Sequence, residues 1–160
     1  MASVLESPCF TEAPIAAEVA RGVTRLFCRQ DLFAVCEMPL PNGRRADLMA
    51  IDSKGSFTIV EIKVAKGDLL GDCKWTDYLD YCDRFFWAVL PHLARILEDE
   101  RYLPQAAGLI VADRYDAAIV REAAHRPLPP ARRKAELLRF ARRSARRLAV
   151  QVDPSLGDLT

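Results

Sequence analysis

Histidine is almost missing from this 160-residue chain, which holds only His92 and His125. The five cysteines, Cys9, Cys28, Cys36, Cys73 and Cys82, are odd in number and form no CxxC pair. These shortages argue against a zinc framework and against a Cys/His nucleophile. The expectation is instead buried or half-buried free thiols in a reducing compartment. No apolar run approaches the roughly 20 residues that a membrane helix needs. The N-terminus also lacks a basic stretch followed by an apolar one, so no secretory signal is read there. A cytoplasmic protein without membrane contact is expected. Internal repeats and low-complexity segments are absent as well. The net charge of +1 excludes no class of partner until its distribution is known. With 51% hydrophobic and 28% charged residues the composition is that of a globular protein. A chain of this length reads as one domain over 1–160, able to bury roughly 70% of its unfolded surface.

What is present centres on two short runs. Arg44-Arg45-Ala46-Asp47-Leu48-Met49-Ala50-Ile51-Asp52 and Phe57-Thr58-Ile59-Val60-Glu61-Ile62-Lys63 are joined by Ser53-Lys54-Gly55-Ser56. Apolar, β-branched runs around a short polar turn predict two antiparallel strands. Strand side chains alternate, so Glu61 and Lys63 share a face. Asp47 comes beside them if the strands pair. Two carboxylates and a lysine at the end of an apolar hairpin must be paired or bind something, because burying them alone is costly.

Around this hairpin the chain reads in order. Thr11 can cap a helix from about Glu12 to Arg29, with Ile15, Val19, Val23, Leu26 and Phe27 on one stripe and Glu18 at its edge. Leu32 to Leu40 is the first strand, with Glu37 facing either the acidic cluster or solvent, and Pro41-Asn42-Gly43 turns it. After Lys63, residues Asp68 to Asp83 predict a second helix, with Lys74 and Tyr78 stacked on one face and Trp75, Tyr78, Leu79 and Cys82 candidates for core. Arg84 to Leu90 is a nearly continuous apolar strand, as in a sheet covered on both faces. His92 to Glu98 predicts a short helix. Ala107–Ala112 and Ala117–Arg121 predict two further strands. The order through Leu90 is αβββαβ, an α/β fold with a mixed central sheet flanked by helices.

A last helix is predicted from Ala131 to about Val150. Residues 131–147 carry +7, with Glu136 the one acid, and leave −6 on the rest of the chain. Arg132, Arg133, Arg139, Arg142, Arg143, Arg146 and Arg147 share one arc of the helix, and Leu137, Leu138, Ala141, Ala145 and Leu148 the opposite one. The expectation is a helix docked by its apolar side with arginines outward. Arginine forks suit phosphate oxygens, so a nucleic-acid backbone is the natural partner. The apolar side lacks the aromatic anchors expected at a membrane surface.

Asp47, followed after 13 residues by Glu61-x-Lys63, resembles the PD-(D/E)XK nuclease superfamily, with Ala46 where proline is common. More narrowly, Arg-Arg-Ala-Asp-Leu-Met-Ala-Ile (44–51), Val-Glu-Ile-Lys-Val (60–64) and Asp-Cys-Lys-Trp-Thr-Asp-Tyr-Leu-Asp-Tyr-Cys-Asp-Arg-Phe (72–85) resemble the MmcB family of bacterial DNA-repair proteins. Gly108-Leu109-Ile110-Val111-Ala112-Asp113 adds to it, and the resemblance covers about 11–125. It implies that Asp47 and Glu61 hold Mg²⁺ or Mn²⁺, helped by the Ile62 carbonyl, and that Lys63 assists the attacking water. Lys74 and Glu18 are implied as further members of the site. Hard oxygen ligands suit Mg²⁺, which keeps several waters, and a nearby ammonium can hold developing negative charge. The implied function is metal-dependent cleavage of DNA in repair, by recognition of structure or damage, alone or with other repair proteins. A non-catalytic DNA-binding accessory that keeps the nuclease fold is the alternative, and RNA is a third, weaker substrate reading.

Overall fold

A computed structural model describes residues 15–159. The first helix, α1 (Ala16–Arg29), begins after Ile15 rather than at Glu12. The expected cap Thr11 lies outside the described residues. Val19, Gly22, Val23, Leu26 and Phe27 form the buried stripe of α1, while Ile15 is exposed. Six strands follow: β1 (Phe33–Pro39), β2 (Arg45–Ile51), β3 (Phe57–Lys63), β4 (Arg84–Val89), β5 (Gly108–Ala112) and β6 (Ala117–Arg121). They form one sheet in chain order. β1, β2 and β3 pair antiparallel, β3–β4 and β4–β5 pair parallel, and β6 returns antiparallel.

Turn chemistry sets the two hairpins. Gly43 (φ 80°) and Gly55 (φ 79°) take the left-handed positions. The Asn42 side chain accepts from Arg44 N at 3.0 Å, and Asp52 Oδ1 accepts from Lys54 N and Ser56 N at 2.9 and 2.8 Å.

The sheet is covered on both faces. On one, Val60, Leu48, Phe86, Ala88 and Ile110 pack against the stripe of α1. On the other, Phe57, Ile59, Met49, Phe85 and Trp87 pack under Trp75, Tyr78, Tyr102 and Phe140.

The crossover from β3 to β4 departs from expectation. The long helix predicted over Asp68–Asp83 is two pieces, a short α2 (Lys66–Gly71) and a 3₁₀ helix (Trp75–Tyr81). Gly71 is the last residue of the first piece, and Asp72 adopts an extended backbone beyond it. The helix predicted over His92–Glu98 is likewise 3₁₀, over Pro91–Glu98.

The final helix, α3 (Pro130–Val152), forms where expected but docks the other way round. Its inner side is Arg132, Arg133, Glu136, Arg139, Phe140, Arg143, Ser144 and Arg147, all buried or half-buried. Leu137, Leu138 and Leu148 are exposed. The reason lies beneath the helix. The buried Asp83 carboxylate takes a two-pronged ion pair from Arg133, at 2.9 and 2.6 Å. The Arg132 guanidinium sits over the Tyr81 ring at 4.6 Å. Phe140 packs on Phe57, ring centroids 5.7 Å apart. Arg147 donates to the Glu37 carbonyl at 3.0 Å. Polar anchors with defined partners thus hold the helix, and the leucine face is left outside.

Among the described residues, no helix is long and apolar enough to cross a membrane. The thiols of Cys28, Cys36, Cys73 and Cys82 are free, but only Cys82 is buried, a departure from the expected burial.

A candidate acidic site where two strands part

The β2–β3 ladder ends at Leu48↔Val60. Beyond it β2 stays with β1, through Met38↔Ala46 and Pro39↔Arg45, while β3 stays with β4, through Glu61↔Trp87 and Lys63↔Val89. The sheet therefore forks, with Asp47 on one prong and Glu61, Ile62 and Lys63 on the other. One Asp47 carboxylate oxygen accepts the Ile62 N–H at 2.7 Å and takes the place of the missing ladder bond. Alternation puts Asp47, Glu61 and Lys63 on the same sheet face as Met49, Phe57 and Ile59, so an apolar row ends in charge.

These side chains line a cleft of about 680 Å³ together with Arg44, Asp72, Lys74 and Tyr78. Glu61 is 6% exposed. Burial, then the charge of Asp47, pushes its carboxyl up to about 7 against the pull of Lys63. Asp47 is also raised, mainly by burial, with its bond from Ile62 N acting the other way. Lys63 lies between two acids, 3.2 Å from Glu61 and 2.9 Å from Asp72. Burial works against its ammonium, but Asp72 and Glu61 outweigh that and raise its pKa. The second Glu61 oxygen, Oε2, is buried and finds no hydrogen-bond partner among the described residues. The nearby Tyr78 hydroxyl, raised in pKa by burial and then by the charge of Glu61, donates to the Arg45 carbonyl at 3.2 Å. A buried carboxylate oxygen left without a donor is costly.

The fork thus brings Asp47, Glu61, Ile62 and Lys63 together, with Lys74 on the rim of the same cleft. Glu18 is not brought there: its carboxylate accepts from Ile15 N at 3.1 Å and pairs with Arg114 at 3.7 Å. Glu37 faces Asp47 across the β1–β2 register, its side chain exposed and its backbone left-handed at φ 51°. Its charge adds to the upward push on Asp47. Asp72 is the member that the sequence reading missed. The signal was Gly71, a poor helix former at the fourth position of the predicted helix.

The expected phosphate-binding arginines divide. Arg132, Arg133 and Arg147 are anchored to the protein body. Arg139, Arg142, Arg143 and Arg146 line a groove of about 440 Å³ along α3. Within it Arg139 pairs with Glu136, and Arg143 Nε is buried with no hydrogen-bond partner among the described residues. Arg147, one turn beyond Arg143, bonds the Glu37 backbone opposite Asp47, so this groove and the acidic cleft are linked through β1.

The donor set fits a hard divalent cation. Both side chains are carboxylates and one oxygen is unpartnered, while no histidine and one free thiol, Cys73, line the same cleft. Among the described residues there is no group of three or more His, Cys, Asp or Glu placed to hold a metal. Two carboxylates are the arrangement that Mg²⁺ accepts, since it keeps waters and takes a substrate phosphate oxygen.

Comparison with known proteins adds two findings. A family model described as "DNA repair protein MmcB-like" matches residues 9–155. A solved structure of a protein of unknown function from Silicibacter pomeroyi is 41% identical, with a TM-score of 0.77, covering 86% of this chain and 90% of that one. No curated protein matches the chain.

Proposed function

The chain belongs to the MmcB-like DNA repair proteins, and we propose that within DNA repair it is a metal-dependent nuclease of the PD-(D/E)XK type. The observation that carries this reading is the pair of mutually repelling carboxylates at the fork, Glu61 buried and Asp47 half-buried. Glu61 keeps one oxygen unpartnered there, beside a lysine that stays charged. The strand order also agrees: antiparallel β1–β3, a helical crossover and a parallel β4.

Asp47 and Glu61 would hold Mg²⁺ or Mn²⁺, with the Ile62 carbonyl beside them. Bound there, the cation supplies Lewis acidity toward a phosphate oxygen and makes a water more acidic. The rest is done by the chain. Ile62 N–H fixes the Asp47 carboxylate. Asp72 holds the Lys63 ammonium in the cleft, where its charge can steady a nucleophile or the charge developing on phosphate. Lys74 and Arg44 at the rim and the four-arginine groove of α3 offer contacts to backbone phosphates. Contacts to phosphates alone position DNA without reading its sequence, which suits recognition of DNA structure or damage.

The small ligand set favours one other reading, an accessory protein that binds DNA without cutting it. Mn²⁺ titration by calorimetry separates the two early. Wild type should bind a single ion, and Asp47→Asn and Glu61→Gln should each weaken binding by about tenfold or more. Lys63→Ala should still bind it. Absence of binding by wild type, with and without DNA, would leave only the accessory reading.

A further inference from the structure

The outward side of α3 carries a second pattern. Leu138, Ala141, Ala145, Leu148 and Val152 recur at alternating intervals of three and four residues, the a/d spacing of a helix–helix seam. This side faces away from the body: Leu138 is 57%, Leu148 63% and Val152 81% exposed, and Leu137 beside them 37%. α3 spans 23 residues, about 35 Å of helix. The stripe itself, Leu138 to Val152, runs along about 22 Å of it, and a continuous apolar stripe marks an interaction surface rather than scattered surface residues. A nucleic-acid backbone gains nothing from covering leucine, and the arginines that suit it lie in the adjoining groove, which shares Ala145 with the stripe.

We propose that two copies of this chain pair through the outer faces of α3, antiparallel about a two-fold axis. The sequence is self-complementary in that arrangement. With the axis crossing at Arg143, Leu138 meets Leu148 of the second copy and Ala141 meets Ala145. Lys134 comes beside Val152 and Asp153. The two alanine pairs in the middle let the axes approach toward the short end of the roughly 8–10 Å range, and the leucines close the seam on either side. Lys134 and Asp153 supply opposite charges at both ends, and every contact is made twice, as a two-fold interface requires. Repulsion between two strongly basic helices opposes the pairing. Association therefore strengthens as salt screens that repulsion, the reverse of what an acidic partner or DNA would give. The pairing also sets two arginine grooves on one dimer. It rests on the α3 face alone and does not depend on the nuclease reading.

Light scattering after gel filtration of the full chain, from about 1 to about 100 μM, should reveal a dimer whose population rises with concentration. Raising salt from about 0.1 to about 0.5 M should increase it. Leu138→Glu/Leu148→Glu should be monomeric throughout and should melt where wild type melts at concentrations low enough to keep it monomeric, since both side chains are exposed in the monomer. With Cys9, Cys28, Cys36 and Cys73 changed to Ser, chains carrying Leu138→Cys and Leu148→Cys should cross-link when mixed, and neither should cross-link alone. A wild-type monomer at every concentration overturns the proposal. So does a dimer that survives the double substitution, or one that cross-links Leu148→Cys to itself.

Discussion

Asp83 ties together the start of β3, the segment before α3, and α3 itself. Its side chain is fully buried and saturated: it accepts from Phe57 N, Leu128 N and both Arg133 terminal nitrogens. Burial alone would raise its pKa, but the Arg133 guanidinium and the two N–H donors hold it down at about 2. Asp83→Asn leaves Arg133 without its charge partner and should cost about 3–5 kcal/mol in urea unfolding near neutral pH. The sign of the pH effect follows from the depressed value. The native carboxylate stays charged where the unfolded one, at about 4, has begun to protonate. Its stabilisation is complete above that pH and is lost as pH falls through about 2. The gap between wild type and Asp83→Asn should therefore narrow across that window. A gap that stays constant down to pH about 2 would show that the network is not what Asp83 contributes.

At the scale of elements, α3 shows how far sequence pattern reaches. Its two unlike faces were legible, because arginines and leucines separate cleanly at 100° per residue. Which face docks was not, since amphipathicity ranks faces by polarity and assumes a wholly apolar landing site. Here the landing site contains the Asp83 carboxylate, the Tyr81 ring and the Glu37 carbonyl, all of which take arginine. The acidic strand ends were legible for the opposite reason. Period-two alternation and a short turn fix where Asp47, Glu61 and Lys63 fall, with little help from the rest of the chain. Asp72 was hidden because the helical reading ran through Gly71 instead of stopping there.

The division of the arginines gives a prediction at this same scale. Arg142→Gln/Arg146→Gln, in the groove, should weaken DNA binding. The plot of log affinity against log salt should become shallower by up to about 1.8, or about 0.9 for each phosphate no longer neutralised. Arg133→Gln should lower the melting temperature and leave that slope unchanged, because its guanidinium is spent on Asp83. If Arg133→Gln alters the slope and the groove pair does not, the assignment of the two sets is wrong.

Across the whole molecule, the forked sheet, the basic groove on α3 and the link between them through Arg147 and Glu37 form one arrangement. Basic charge lies along one helix, and the acidic cleft opens where β2 and β3 part. Membership of the MmcB-like DNA repair proteins gives that arrangement its context. Cleavage is the step that decides the account. Wild type and the Asp47→Asn, Glu61→Gln and Lys63→Ala variants should be incubated with Mg²⁺ or Mn²⁺ and a panel of duplex, single-stranded, branched and damaged DNA. Wild type should cut at least one of these only when metal is present. Each variant should lose about 10²-fold or more of that rate, with DNA binding kept or, for the two carboxylate variants, slightly strengthened. Equal activity in all four proteins, or none in a wild type that binds the DNA, would contradict the nuclease assignment.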